Sequence, residues 1–191
     1  MAALKLAVLI SGRGSNLQAL IAACAAPDFP ATVALVVSNN PAAPGLDRAR
    51  DGGIPTVVVE RRDHDSRDGF DEALGAAISA HDADLVCLAG FMSILGKAFV
   101  ERWRDRLINI HPSLLPAYPG LDTHARAIEA GVREAGCTVH FVTAAVDAGP
   151  IIVQETVPVE RNDTAETLAA RVLAAEHRIY PQAVRLIAEG L

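Results

Sequence analysis

Cysteine is scarce in this chain: Cys24, Cys87 and Cys137 are the only three, far apart and without a C-x-x-C pair. That excludes a disulfide framework and a thioredoxin-like motif, and it fits reduced thiols packed as small apolar groups. Basic clusters are missing as well. The chain carries 17 Lys and Arg against 23 Asp and Glu, a net charge of −6. It therefore lacks the basic patch that a nucleic acid or an anionic membrane surface requires. No apolar run approaches the ~20 residues that span a bilayer. The start, Met1 to Lys5, leads into a strand-like run with no cleavable apolar segment ahead of it. A soluble, cytoplasmic protein is expected. No two histidines stand at H-x-x-x-H spacing, so no metal site is expected. Neither a G-x-S-x-G elbow nor a Gly-Lys-Ser/Thr P-loop occurs.

What is present is enough for a core: 51% of the 191 residues are apolar and 21% charged. The length and the lack of any linker or repeat point to one domain over residues 1–191. In the first half, apolar runs alternate with helix-like segments. Strands are expected at Leu6–Ile10, Thr32–Val37, Thr56–Val59, Asp84–Ala89 and Leu107–Ile110. Helices are expected from Ser15 to about Ala26, then at Leu46–Asp51, Ser66–Ala80 and Lys97–Arg102. Strands apolar on both faces and joined by crossovers predict an α/β fold, a parallel sheet covered by helices on both sides. Beyond residue 121 the pattern changes. Thr123–Glu129 reads as a helix, and Cys137–Thr143 with Pro150–Pro158 predicts an antiparallel extension. Asp163-Thr164-Ala165-Glu166 reads as a capping box opening one long amphipathic helix, with Leu168, Val172, Ile179, Val184 and Ile187 buried and a kink at Pro181.

The densest chemistry lies in Asn109-Ile110-His111-Pro112-Ser113-Leu114-Leu115-Pro116-Ala117-Tyr118-Pro119-Gly120. Asn109 and His111 are two apart on a strand and share a face. Pro112 ends the pairing, so an amide donor and an imidazole stand together at the strand's exit, where open α/β sheets bind ligands. This suits acyl transfer without a nucleophilic side chain; Ser113 is expected only to bond local backbone groups. The loop Ser11-Gly12-Arg13-Gly14-Ser15-Asn16 follows the first strand and opens the first helix, where backbone N–H groups favour an anion. The third glycine of a dinucleotide fingerprint would fall at Leu17, so a single phosphate monoester remains, with side-chain donors from Ser15 and Asn16. A tight turn capped by Ser15 would use the same residues. Asp147 reads either as a turn-capping residue or as a carboxylate that orients His111 and favours its charged form. His64 and His81 read as solvent-facing, while His124, His140 and His177 could line a site or pack.

The segments Val8–Gly12, Asn39, Leu88-Ala89-Gly90-Phe91-Met92, Asn109–Gly120, His140-Phe141-Val142 and Glu176–Pro181 together resemble the folate-dependent phosphoribosylglycinamide formyltransferases over essentially the whole chain. The Asn-x-His-Pro-Ser-Leu-Leu-Pro stretch alone resembles 10-formyltetrahydrofolate enzymes in general. The resemblance implies an open, mostly parallel seven-stranded sheet with a Rossmann-like first half. It implies a catalytic triad of Asn109, His111 and Asp147, a phosphate cradle of Gly14, Ser15 and Asn16, and Glu176 on the ribose hydroxyls. Arg67, Met92, Ser93, Ile94, Leu95 and the loop Thr143, Ala144, Ala145, Val146 and Asp147 fall on its folate side, with Asn109 facing both substrates. The implied substrates are glycinamide ribonucleotide and 10-formyltetrahydrofolate, with no metal, no nucleic acid and no membrane, in a monomer or homodimer.

Arg13, Ser93, Ala144-Ala145 and Ala148 depart from that pattern and leave the triad intact. Two neighbours of the family compete: a 10-formyltetrahydrofolate hydrolase, which usually has an extra regulatory domain, and a methionyl-tRNA formyltransferase, which needs a basic tRNA domain. A non-catalytic phosphosugar-binding module would keep the glycine loop and lose a member of the triad.

Overall fold

The computed structural model describes residues 3–191. Aliphatic runs broken by Gly, Pro and Asp turns form seven strands: β1 (Leu4–Ile10), β2 (Ala31–Ser38), β3 (Thr56–Val58), β4 (Leu85–Leu88), β5 (Leu107–His111), β6 (Glu134–Phe141) and β7 (Ile151–Pro158). The helices between and after them are α1 (Ser15–Cys24), α2 (Gly45–Asp51), α3 (Arg67–Ser79), α4 (Lys97–Arg102), α5 (Thr123–Glu129) and α6 (Ala165–Ala188). The strands make one sheet in the order β3-β2-β1-β4-β5-β6-β7. The first five are parallel, and β6 and β7 add antiparallel. The expected architecture is the observed one, with element ends moved by one to three residues.

Alternation along the strands divides the core. Leu6, Val8 and Ile10 of β1 pack with α1, α2 and α6 on one face, and Ala7 and Leu9 pack with α3 and α4 on the other. On β5, Ile108 and Ile110 belong to the first core and Leu107 to the second. Asn109 and His111 share Leu107's parity and therefore stand on the α3/α4 face. The sheet's order reverses between β1 and β4, so the loops leaving their carboxyl ends diverge and open a crevice there.

A few local expectations need correction. The capping box of α6 is not Asp163 with Glu166 but lies one residue on, between Thr164 and Thr167. Thr164 accepts from the Thr167 backbone N–H (3.3 Å), and the Thr167 hydroxyl accepts from the Thr164 N–H (2.9 Å). Asp163 is instead engaged by Arg171 (2.7 Å). As expected, the helix runs as one element through Pro181, whose missing N–H removes one bond. Ile187, expected in the buried stripe, is only partly covered. Among the presumed solvent-facing histidines, His64 is half-covered with its ring edge-on to Phe70, and His81 is bonded to the Ala77 carbonyl (2.9 Å).

The cysteines pack as the composition implied. Cys87 and Cys137 are buried and Cys24 is half-buried. Desolvation pushes the Cys24 thiol up to about 11 and the Cys137 thiol to about 12, and raises that of Cys87 as well. At pH 7.5 almost no thiolate is available for attack. A disulfide dye should therefore label the native protein slowly and all three thiols once it is unfolded. Rapid native labelling would contradict this packing.

Candidate active site

His111 is the last residue of β5 and is buried, with Asn109 two residues before it on the same face. His111 Nε2–H donates to the Tyr118 carbonyl (3.0 Å), and its Nδ1 faces Asp147 Oδ2 at 3.5 Å. Both ring nitrogens thus point at oxygen acceptors, which is the arrangement an imidazolium satisfies. Asp147 is held in turn by the Gly120 backbone N–H (2.8 Å) and sits in the left-handed region at φ 52°. The carboxylate alternative for Asp147, and not a purely local turn, is what this geometry supports. The structure brings Asn109, His111 and Asp147 to one point.

A fourth side chain joins them. In the β5–β6 register Asn109 lies directly opposite His140. His140 Nδ1–H donates to the Phe141 carbonyl (2.9 Å), so Nε2 is left as an acceptor and takes Asn109 Nδ2–H (3.3 Å). Burial lowers the His140 pKa, which keeps the ring neutral and this polarity fixed. Asn109 has a second Nδ2–H, which the bond to His140 leaves free. His140 Nε2 also lies 3.8 Å from Asp147 Oδ1, but the lone pair on that nitrogen makes this a contact and not an ion pair. The sequence showed His140 only as a residue that could line a site; the cross-strand register is what assigns it.

The proline-rich exit is locked by hydrogen bonds. Ser113 Oγ–H is directed at the Ala117 carbonyl (2.6 Å), with the Tyr118 carbonyl at 3.2 Å. Thr138 on β6 donates to the Ser113 carbonyl (2.7 Å) and accepts from the Leu115 N–H (3.0 Å). Gln154 on β7 then donates to Thr138 (2.8 Å) and to the Leu115 carbonyl (2.9 Å). The antiparallel extension therefore fixes the carbonyl that receives His111. Gly149 lets the Asp147 loop return, since a Cβ there would stand 1.7 Å from the Phe141 carbonyl oxygen.

The glycine loop opens α1 as expected. Gly14 is its N-cap at φ 70°, ψ 35°, with no side chain capping the helix, so the first backbone N–H groups remain free for an anion. A Cβ on Gly14 would meet the Gly45 Cα at 2.8 Å, so α2 closes against the loop. Ser11 to Asn16 line a cleft of about 280 Å³ whose other wall is Ala89, Gly90 and Met92. Asn16 is tied into the fold as well: one Nδ2–H donates to Glu176 Oε2 (2.7 Å), and its Oδ1 is buried without a partner. Its other Nδ2–H and its backbone N–H remain for the cradle. The same α6 that carries Glu176 sends Tyr180 Oη–H to the Leu88 carbonyl (2.8 Å), setting the end of β4.

Desolvation raises the Glu176 pKa above the usual carboxylate range, partly offset by Asn16. A carboxyl whose folded pKa is raised binds more protons folded than unfolded, so its contribution to stability falls as pH rises between the two values. At pH 7, above the ordinary carboxylate range, burying this carboxyl is a cost. Glu176→Gln should raise the thermal midpoint at pH 7 relative to wild type, with the gain shrinking toward pH 4, and should weaken a ribose-bearing ligand. Calorimetry at both pH values checks the sign.

On the opposite side of the crevice, Met92 and Ile94 are strongly exposed for apolar residues, and so is Val146. Ser93 and Leu95 are half-covered. Arg67 opens α3 with its side chain beside Gly96, at the end of the same segment. Thr143 to Val146 form an exposed loop braced by Thr143 Oγ–H to the Ala145 carbonyl (3.2 Å). No cluster of three or more metal-ligating side chains occurs among the described residues.

Free backbone N–H groups at the start of α1 and the Asn109, His111 and Asp147 cluster at the exit of β5 share one edge of the α/β sheet, a layout suited to a group-transfer enzyme. The chain belongs to the formyl transferase family, whose model matches residues 4–184. Phosphoribosylglycinamide formyltransferase of Escherichia coli (strain K12) is 49% identical over 187 residues, covering 98% of this chain and 88% of that protein. The trifunctional purine biosynthetic protein adenosine-3 of Homo sapiens is 50% identical over 186 residues. The chain spans only 18% of that protein's length. Among solved structures, glycinamide ribonucleotide transformylase 1 of Symbiobacterium toebii superimposes with a TM-score of 0.96 at 50% identity, covering 98% of this chain and 89% of that one. Phosphoribosylglycinamide formyltransferase of Brucella melitensis gives 0.95 at 49%, covering 99% and 97%.

Proposed function

We propose that this chain transfers the formyl group of 10-formyltetrahydrofolate to the amino group of 5'-phosphoribosylglycinamide, a step of purine synthesis, with Asn109, His111 and Asp147 as its catalytic residues. The observation that carries the reading is the convergence of those three side chains at the exit of β5. The neighbouring strand β4, paired Leu88 to Asn109, leads into the wall of the phosphate cleft.

The neutral amine attacks the formyl carbon and forms a tetrahedral centre, whose oxygen takes the charge. The free Asn109 Nδ2–H donates to that oxygen, and the His111 Nδ1–H, held only loosely toward Asp147 at 3.5 Å, turns to donate to it as well. The C–N bond to the folate then breaks, the folate nitrogen takes up a proton, and the attacking amine gives one up. His111 supplies or relays it, with Asp147 holding the ring. Gly14, Ser15 and Asn16 hold the phosphate and Glu176 the ribose hydroxyls. Met92 to Leu95, Val146 and Arg67 supply an apolar rim and a cation for the folate and its acidic tail. The net charge of −6 favours small-molecule substrates over a tRNA acceptor.

The test follows folate deformylation optically with and without the ribonucleotide. Turnover that requires it, with one formylated product per folate consumed, is expected. Equal turnover in its absence means hydrolysis by water, and no turnover by folded protein means a binding module.

A further inference from the structure

Ser11 does not belong to the cradle in the way its neighbours do. Its hydroxyl donates to Asn39 Oδ1 (2.7 Å) and accepts from the Met92 backbone N–H (2.7 Å). Both bonds are short, and they occupy the hydroxyl's one donor and one of its lone pairs. Asn39 Nδ2 lies 3.5 Å from the Met92 carbonyl, and Asn40 Nδ2 donates to the Ser11 carbonyl (3.2 Å). The first residue of the glycine loop is therefore joined to the first residue of the segment assigned to the folate, across 81 positions of sequence. At its other end the segment is anchored separately. The Gly96 N–H donates to Asp71 Oδ2 (2.7 Å), and a Cβ on Gly96 would stand 2.6 Å from that oxygen. Asp71 is buried and comes from α3, which takes no part in the glycine loop.

We infer that Ser11 is a positioning residue that couples the two substrate sites, so that ordering the glycine loop around the ribonucleotide's phosphate also orders Met92–Leu95 for the folate. This rests on the proposed transferase reading. Coupling needs an element shared by both sites, and the Ser11–Met92 bond is one. Asp71 holds the same segment without touching the cradle, so it steadies folate binding and transmits nothing.

The test is calorimetric titration of the full chain with tetrahydrofolate, which has no formyl group to transfer, under anaerobic conditions with and without saturating glycinamide ribonucleotide. In the wild type the ribonucleotide should tighten folate binding by about 3- to 10-fold, the scale of one hydrogen bond. Ser11→Ala should bring that ratio close to one while the ribonucleotide alone still binds. Asn39→Ala, which strips the same bridge from its far side, should lower the ratio too. Asp71→Asn should weaken the folate with the ratio retained. A wild-type ratio of one, or Ser11→Ala and Asn39→Ala both keeping the wild-type ratio, overturns the coupling while two independent binding events leave the transferase reading standing. Failure of the folded wild type to bind either ligand overturns both.

Discussion

Asn109→Ala should lower kcat by about 10²–10³, the usual cost of removing one oxyanion donor, with little change in either KM. The reasoning is geometric. One Nδ2–H of Asn109 is committed to His140 at 3.3 Å, and the other is free. A charged oxygen exists only near the transition state, so a donor aimed at it contributes to turnover and not to ground-state affinity. His140 acts through Asn109, because its Nε2 accepts and cannot donate to an oxyanion. His140→Ala should therefore cost less than Asn109→Ala, and in the Asn109→Ala background it should cost almost nothing further. Equal and additive losses would mean that His140 acts on the substrate independently. An Asn109→Ala variant retaining most wild-type turnover would remove Asn109 from the mechanism. Near-normal circular dichroism and thermal unfolding are expected, since Asn109 is only partly covered and its loss opens no core cavity.

How much of this could be seen in the sequence depended on whether the controlling interaction was local. The strands of the sheet were visible as aliphatic runs because burial on both faces leaves no polar alternation to blur them. The β5 exit was visible because Pro112 marks it and Asn109 and His111 are two apart, so parity alone puts them together. His140 was not, because its meeting with Asn109 depends on the register of two antiparallel strands 31 positions apart, and parity cannot fix register. The bond of Asn16 was hidden for a similar reason. Its position in the loop suggested a phosphate donor, and nothing local showed that a buried carboxylate from α6, 160 residues away, takes one of its two amide hydrogens. The cap of α6 shows the same effect at short range: Asp163 was read with Glu166, but Arg171 engages Asp163, and the box forms one residue on between Thr164 and Thr167. Asp147 lay between: its loop was legible, but its approach to His111 follows from the β6–β7 return and from Gly149, which has no room for a side chain.

His111→Ala should be at least as damaging as Asn109→Ala, about 10²–10⁴ in kcat for the loss of a positioned acid–base group, because it removes an oxyanion donor and the proton carrier together. Asp147 stands behind it. Its Oδ2 is 3.5 Å from His111 Nδ1 and accepts the Gly120 N–H at 2.8 Å, so it orients the ring and ties it to the end of the proline-rich loop. Asp147→Asn keeps an oxygen for Gly120 and removes the charge that faces the imidazole. If the carboxylate works only through His111, its loss matters while the ring is present and is silent once the ring is gone. The double variant His111→Ala/Asp147→Asn should then turn over no more slowly than His111→Ala, although Asp147→Asn alone is severely impaired. Such non-additivity is what residues acting as one unit produce. A double variant slower by the product of the two single losses would mean that Asp147 touches the reacting groups itself. In that case the proton leaving the amine would have a second acceptor, and His111 would no longer be the sole route for proton transfer.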